Sequence, residues 1–171
     1  MLKNKKGFTL IELIAVVTIM AIIALLATPN IISMIENGKK EQYVSDAKEF
    51  ISKATYMYKL ERYKSNTSIF KPIDTNTHRI YLTNIEGVSQ KDDPYGYEYQ
   101  LEDSYIQFKL EEEELADGTK IHKRNTYVYL KSCKPQEGEG TECITDKIKY
   151  IKDDNGNPVK STELTTDSVK E

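Results

Sequence analysis

The chain is poor in the side chains from which reactive centres are built. Two His, two Cys and the arginines Arg62, Arg79 and Arg124 are all it has of these types in 171 residues. The four possible nitrogen and sulfur ligands show no zinc-finger spacing, which argues against an ordinary structural zinc site. His78 and His122 lie in polar, turn-like sequence, where a solvated imidazole is a better account than a base or a ligand. No nucleophile, base and acid fall at workable spacing, so an enzyme is not expected and no cofactor or metal is implied. Net positive charge is also missing. Against 24 Lys and Arg stand 27 Asp and Glu, formally -3, so nucleic acid is not expected as a direct partner. Internal repeats are absent. With 39 % hydrophobic and 30 % charged residues and a mean hydropathy of -0.57, the composition excludes both a polytopic membrane protein and a disordered chain. The length allows one domain with a short appendage.

What is present is unevenly distributed. Met1 to Gly7 reads MLKNKKG, with Lys3, Lys5 and Lys6, and an apolar run from Phe8 to Ala27 follows directly. No charge occurs between Leu13 and Ala27, and beyond Pro29 the apolar character continues through Ile31, Ile32, Met34 and Ile35. That length suffices to cross a bilayer, and the basic leader keeps the N-terminus cytoplasmic. A cleaved secretory signal would need a small-x-small site after the run. Ala21, Ala24 and Ala27 are three apart instead, with no Ala-x-Ala pair before Thr28. A plain signal anchor leaves Glu12 unexplained, because an unpaired carboxylate in apolar surroundings costs several kcal/mol. Glu12 needs a partner.

The segment Lys6-Gly7-Phe8-Thr9-Leu10-Ile11-Glu12 resembles the prepilin signature of type IV pilins and pseudopilins. The resemblance implies that a prepilin peptidase cuts between Gly7 and Phe8 and that the new Phe8 amine is methylated. It implies that Glu12, the fifth residue after the cut, neutralises the Phe8 ammonium of a neighbouring subunit and sets its register in a filament. Pro29 stands at the family's usual helix-interrupting position. Many pilins place Gly eight residues before that proline; here Ala21 occupies the place, and Ala favours helix by about 1 kcal/mol over Gly.

Beyond Pro29 the sequence suits a continuing helix, with Gly38 the one internal warning. Val44, Ala47, Ile51, Ala54 and Tyr58, widened by Tyr43, Phe50 and Met57, form one apolar face suited to packing on the protein's own sheet. After a polar loop from Ser65 to His78, four strands are expected at Tyr97 to Leu101, Tyr105 to Glu111, Thr126 to Ser132 and Lys147 to Lys152. Alternation such as Ile106/Phe108/Leu110 against Tyr105/Gln107/Lys109 marks a half-buried sheet. Turn chemistry at Asp103-Ser104, Asp117-Gly118 and Asn155-Gly156 makes the connections short and the sheet antiparallel. Asp93-Pro94-Tyr95-Gly96 is similar to a turn that leads into the sheet of several pilins. As sequence alone it is a proline-set turn.

Cys133 and Cys143 bracket a polar segment, and in an exported domain an even pair suggests a disulfide, with two free thiols as the alternative. The pair also resembles the disulfide-bounded loop that many pilins display. Asp153 to Asn157 begins like a calcium loop but has Pro158 where that loop needs Gly and Leu164 where it needs Glu. Glu111 to Glu114 reads as a solvated strand end, Asn66-Thr67-Ser68 as an uninformative glycosylation pattern, and the residues after Asn157-Pro158 as a tail ending in disorder.

The expected architecture is α+β: a removable leader over 1–7, an apolar membrane or filament-core helix over 8–35, its amphipathic half over 36–64, and an antiparallel-sheet domain of about four strands with a C-terminal tail over 65–171. The resemblance implies a structural pilin of a type IV pilus, serving adhesion, aggregation, motility or DNA uptake. Its partners would be other pilin subunits, the prepilin peptidase, the pilus assembly machinery and, before assembly, the membrane. Before assembly it would sit in the cytoplasmic membrane, and afterwards in an extracellular pilus. A pseudopilin of a secretion or competence machine is the alternative within the family. A membrane-tethered extracellular binding domain is the alternative outside it.

Overall fold

The computed structural model describes residues 8–61, 69–88, 91–135 and 143–171. Gly7, Asn66-Thr67-Ser68 and residues 136–142 between the cysteines lie outside the described residues. Helix α1 (Leu10–Glu61) carries Pro29 in its interior. Proline lacks the N–H that would reach the Leu25 carbonyl, yet the helix continues across Ala21 to Pro29, among residues of good helix propensity. Thr18 and Thr28 turn their hydroxyls inward, donating to the carbonyls of Ile14 and Ala24 at 2.7 and 2.6 Å.

The chain divides into two compact units, with the boundary after Gly38. In the first, over its described residues 8–38, the helix is apolar on every side from Leu13 to Ala27, and none of its large apolar side chains is covered: Phe8 is 87 % exposed and Leu25 77 %. A helix without a polar face is suited to hydrocarbon or to other copies of itself, and it is long and apolar enough to cross a membrane.

The second unit, residues 39–171, holds the remainder of α1 and the sheet. Its strands are β1 (Lys71–Pro72), β2 (Thr77–Tyr81), β3 (Glu98–Tyr99), β4 (Tyr105–Glu114), β5 (Lys120–Pro135), β6 (Cys143–Ile151), β7 (Val159–Lys160) and β8 (Val169–Lys170). The order is β1-β2-β4-β5-β6-β8, with β3 and β7 also paired to β5, and each pairing is antiparallel. Register aligns Ile80, Ile106, Val128 and Val159 across four strands, and Leu130, Ile151 and Val169 across three. These inward rows meet Tyr43, Val44, Ala47, Phe50 and Ala54 of α1 in one core. On the opposite face Tyr81, Tyr105 and Tyr129 line up, ring centroids 6.0 and 5.2 Å apart.

The α+β class stands, but the expected count of about four strands is corrected to eight among the described residues. Four are pairs of residues, ordered by a longer neighbour rather than by their own pattern. The expectation of a disordered tail is also corrected. Val159, Leu164 and Val169 are nearly fully buried, and β8 adds to β6 through Tyr150 and Ile151. Single apolar residues five apart have neither helical nor strand periodicity, yet each fills a gap in the core.

One turn geometry recurs three times. At Asp93–Tyr97, Leu115–Thr119 and Asp153–Asn157 the first N–H donates to the fifth carbonyl, and the fourth N–H donates to the first carbonyl. The fourth residue is Gly96, Gly118 or Gly156, with φ of 75–81°, a conformation in which a side chain is strained.

Candidate assembly site at the helix start

Thr9 precedes the first helical residue and Glu12 is the third residue of α1. The Glu12 Oε2 atom accepts the Thr9 backbone N–H at 2.8 Å and the Thr9 hydroxyl at 2.9 Å, while the Glu12 N–H donates to Thr9 Oγ1 at 3.3 Å. This reciprocal cap satisfies N–H groups that no helical carbonyl can reach, and it places negative charge at the positive end of the helix dipole. Threonine three residues before an acid, ahead of an apolar run, is itself a helix-start signal. It is legible in Thr9-Leu10-Ile11-Glu12, where the charge of Glu12 overshadows the capping role of Thr9.

The cap settles where the carboxylate rests in a single copy. Both donors fall on Oε2, and no described group donates to Oε1. Glu12 therefore caps its own helix through Oε2. Phe8, directly before the cap, is exposed. Pro29 is remote from Glu12 along the helix, so the structure does not gather the expected site residues into one place.

In the second unit a buried polar seam joins α1 to the sheet. Tyr43, fully buried, donates to Ser132 Oγ at 3.0 Å, with the Lys149 carbonyl a longer second acceptor of the same proton at 3.4 Å. Ser132 donates to Asp93 Oδ2 at 2.5 Å, and Asp93 Oδ1 accepts the N–H groups of Tyr95 and Tyr97. Asp46 of α1 accepts Tyr99 OH at 2.9 Å and pairs with Lys91 at 2.8 Å. Lys91 also reaches Glu49, which pairs with Lys53. Burial raises the Asp93 carboxyl above its ordinary range, with Ser132, Tyr97 and Tyr95 offsetting part of the shift. Hydrogen bonds from Lys91 and Lys53 hold Glu49 down to about 2. Burial pushes the Tyr43 and Tyr99 hydroxyls far up, so both stay protonated donors. Each oxygen of Asp46 and Asp93 is taken by a protein donor, an arrangement suited to clamping the helix.

Cys133, fully buried, is bonded to Cys143, tying β5 to β6 where their register shifts between Cys133 and Pro135. Asp153 turns Oδ1 onto the N–H groups of Asn155 and Asn157. Among the described residues no three His, Cys, Asp or Glu converge as metal ligands.

Comparison with known proteins adds two findings. Residues 2–28 match the family model described as the prokaryotic N-terminal methylation motif. The chain is similar to proteins named type II secretion system core protein G. Identity to the Dickeya chrysanthemi protein is 32 % over 106 residues, covering 58 % of this chain and 69 % of the relative. For Klebsiella michiganensis it is 32 %, covering 58 % and 74 %, and for Aeromonas hydrophila 29 %, covering 58 % and 73 %. No solved structure matches.

Proposed function

The chain belongs to the type IV pilin-like family that includes the core G pseudopilins, and on that premise we propose that it is the repeating subunit of a pseudopilus-type filament in a secretion machine. The subunit waits in the cytoplasmic membrane with its N-terminus inside, loses residues 1–7 to the prepilin peptidase, and then polymerises with other pilin-like subunits. Its work is mechanical and it catalyses no reaction. The observation that carries this reading is the start of the helix: apolar on every side from Leu13 to Ala27, uncovered, and preceded by one carboxylate to whose second oxygen no described group donates. Hydrocarbon covers such a helix before assembly and neighbouring copies cover it afterwards. In that apolar setting the Phe8 ammonium of one copy and Glu12 Oε1 of the next attract strongly, because the surroundings screen them little.

A second reading, a surface pilus used for adhesion, aggregation, motility or DNA uptake, is favoured by the Cys133–Cys143 bridge, which resembles the bounded loop of many pilins. One experiment separates the two. In the native host, Glu12→Gln should leave expression and membrane insertion intact, keep the helix cap through the amide oxygen, and reduce filament incorporation at least about tenfold, the effect of one lost interaction of 1.4 kcal/mol. Retention of secreted proteins inside the variant's cells supports the secretion filament. Normal secretion with loss of surface fibres supports the pilus. Normal filaments built from the variant alone refute the pairing mechanism.

A further inference from the structure

Strands β4 and β5 outrun the rest of the sheet. β2 accompanies β4 as far as Lys109, with one added bond from Leu110 N–H to the Asn76 carbonyl, and β7 meets β5 only from Tyr127, with one added bond from Ser161 N–H to the Thr126 carbonyl. Past those points the two strands continue as a two-stranded arm, paired from Leu110 with Arg124 to Glu114 with Lys120. Every residue from 112 to 124 is exposed. Among the described residues no strand pairs with the outer edge of Glu111–Glu114 or of Lys120–Arg124. A two-stranded ribbon with no core beneath it is marginal alone and gains from a third strand.

The charges on the two edges differ in sign. Glu111, Glu112, Glu113 and Glu114 fill one, and Lys120, Lys123 and Arg124 dominate the other. Side chains alternate between faces, so one face sets Glu112 and Glu114 beside Lys120 and Arg124, and the other sets Glu111 and Glu113 beside Lys123. Within the arm Lys120 pairs with Glu112 at 3.0 Å and Lys123 with Glu113 at 2.8 Å, all four side chains being about half exposed. Such pairs contribute little and are readily exchanged for partners on another molecule.

We propose that this arm joins neighbouring subunits of the filament edge to edge, the acidic β4 edge of one copy adding to the basic β5 edge of the next. The inference rests on the filament reading above. Acid against acid, or base against base, places like charges opposite each other and is disfavoured, so a two-fold, self-limiting pairing of identical edges is selected against. The permitted contact is heterologous, and a heterologous contact repeated without closure generates a helical polymer.

The test uses the full chain in its filament-forming host. A charge-swapped chain, with Glu112→Lys, Glu113→Lys, Glu114→Lys, Lys120→Glu, Lys123→Glu and Arg124→Glu, keeps the pairs within its arm and remains complementary to itself. It should form filaments alone. Produced together with the unaltered chain, each marked by a different epitope, it should segregate, with mixed-neighbour cross-links about tenfold below random mixing as the like-charged edges meet. A chain with only Glu112→Lys, Glu113→Lys and Glu114→Lys has two basic edges, since Glu111 alone stays acidic on β4; it should form about tenfold fewer filaments alone yet be accepted beside the unaltered chain. Random mixing of swapped and unaltered chains overturns the inference. So does a swapped chain that keeps its disulfide but does not polymerise. Failure of the unaltered chain to form filaments removes the filament reading itself, and the inference with it.

Discussion

Tyr43→Phe deletes one hydroxyl from a fully buried ring and leaves the packing of α1 against the sheet unchanged. The lost contacts are one good hydrogen bond, 3.0 Å to Ser132 Oγ, and one long bond to the Lys149 carbonyl, so the cost should be about 1 kcal/mol. Ser132→Ala should cost more, about 2 kcal/mol, because it strips a donor from a buried carboxylate. The double variant should cost at least about 0.5 kcal/mol less than the sum, since both substitutions break the Tyr43–Ser132 bond. Urea unfolding of a soluble domain beginning near Glu36 would read these values as falls in midpoint of about 0.5 M and about 1 M, for a slope near 2 kcal/mol/M. The pH dependence has a definite sign. Burial raises the Asp93 carboxyl in the folded state, so its ionisation opposes folding, and that cost appears as pH climbs through the raised folded value. The Ser132 donor lessens the cost of the ionised form alone. Ser132→Ala should therefore destabilise more at about pH 7 than at about pH 3.5. A penalty equal at both pH values, or a larger penalty for Tyr43→Phe than for Ser132→Ala, would refute the view that Asp93 is held through Ser132.

Two further outcomes are expected. The mature protein should begin at Phe8, seen as the N-terminal mass of filament or membrane preparations, and a bulky residue in place of Gly7 should leave residues 1–7 attached; an intact N-terminus on assembled protein contradicts the processing. Cys133→Ser with Cys143→Ser should lower the stability of the soluble domain by up to about 3 kcal/mol, the chain-entropy value for so short a loop. Unchanged unfolding would mean that the β5–β6 pairing alone holds that end of the sheet.

Long, periodic elements were legible in the sequence because their burial is written in repeating residues. The face Val44, Ala47, Ile51, Ala54 and Tyr58 needed only a helical period, and Ile106 with Phe108 only a period of two. β1, β7 and β8 had no such signal, since a two-residue strand is defined by the neighbour that pairs with it. The long end of β5 over Lys120–Arg124 carries no apolar alternation because neither face of it is covered. The buried acids Asp46 and Asp93 were equally hidden: their partners Tyr99, Lys91 and Ser132 lie at separations that only the folded chain brings together. At the helix start the position of Glu12 was legible from its apolar surroundings, whereas its cap with Thr9 required the placement of the carboxylate oxygens.

The seam through Tyr43 also imposes an order in time. Its hydroxyl meets Ser132 across 89 residues of chain and the Lys149 carbonyl across 106. For a chain threaded through a membrane from its anchor outward, the amphipathic part of α1 is on the far side before either partner has been delivered. Until β5 and β6 arrive, Tyr43, Ala47 and Phe50 have nothing to pack against, and contacts this distant in sequence close slowly. The interval exposes an apolar helix face beside a membrane and beside other unfinished copies. If the chain is exported to build a filament as proposed, agents that guard unfolded chains outside the membrane should raise filament yield without touching the filament itself.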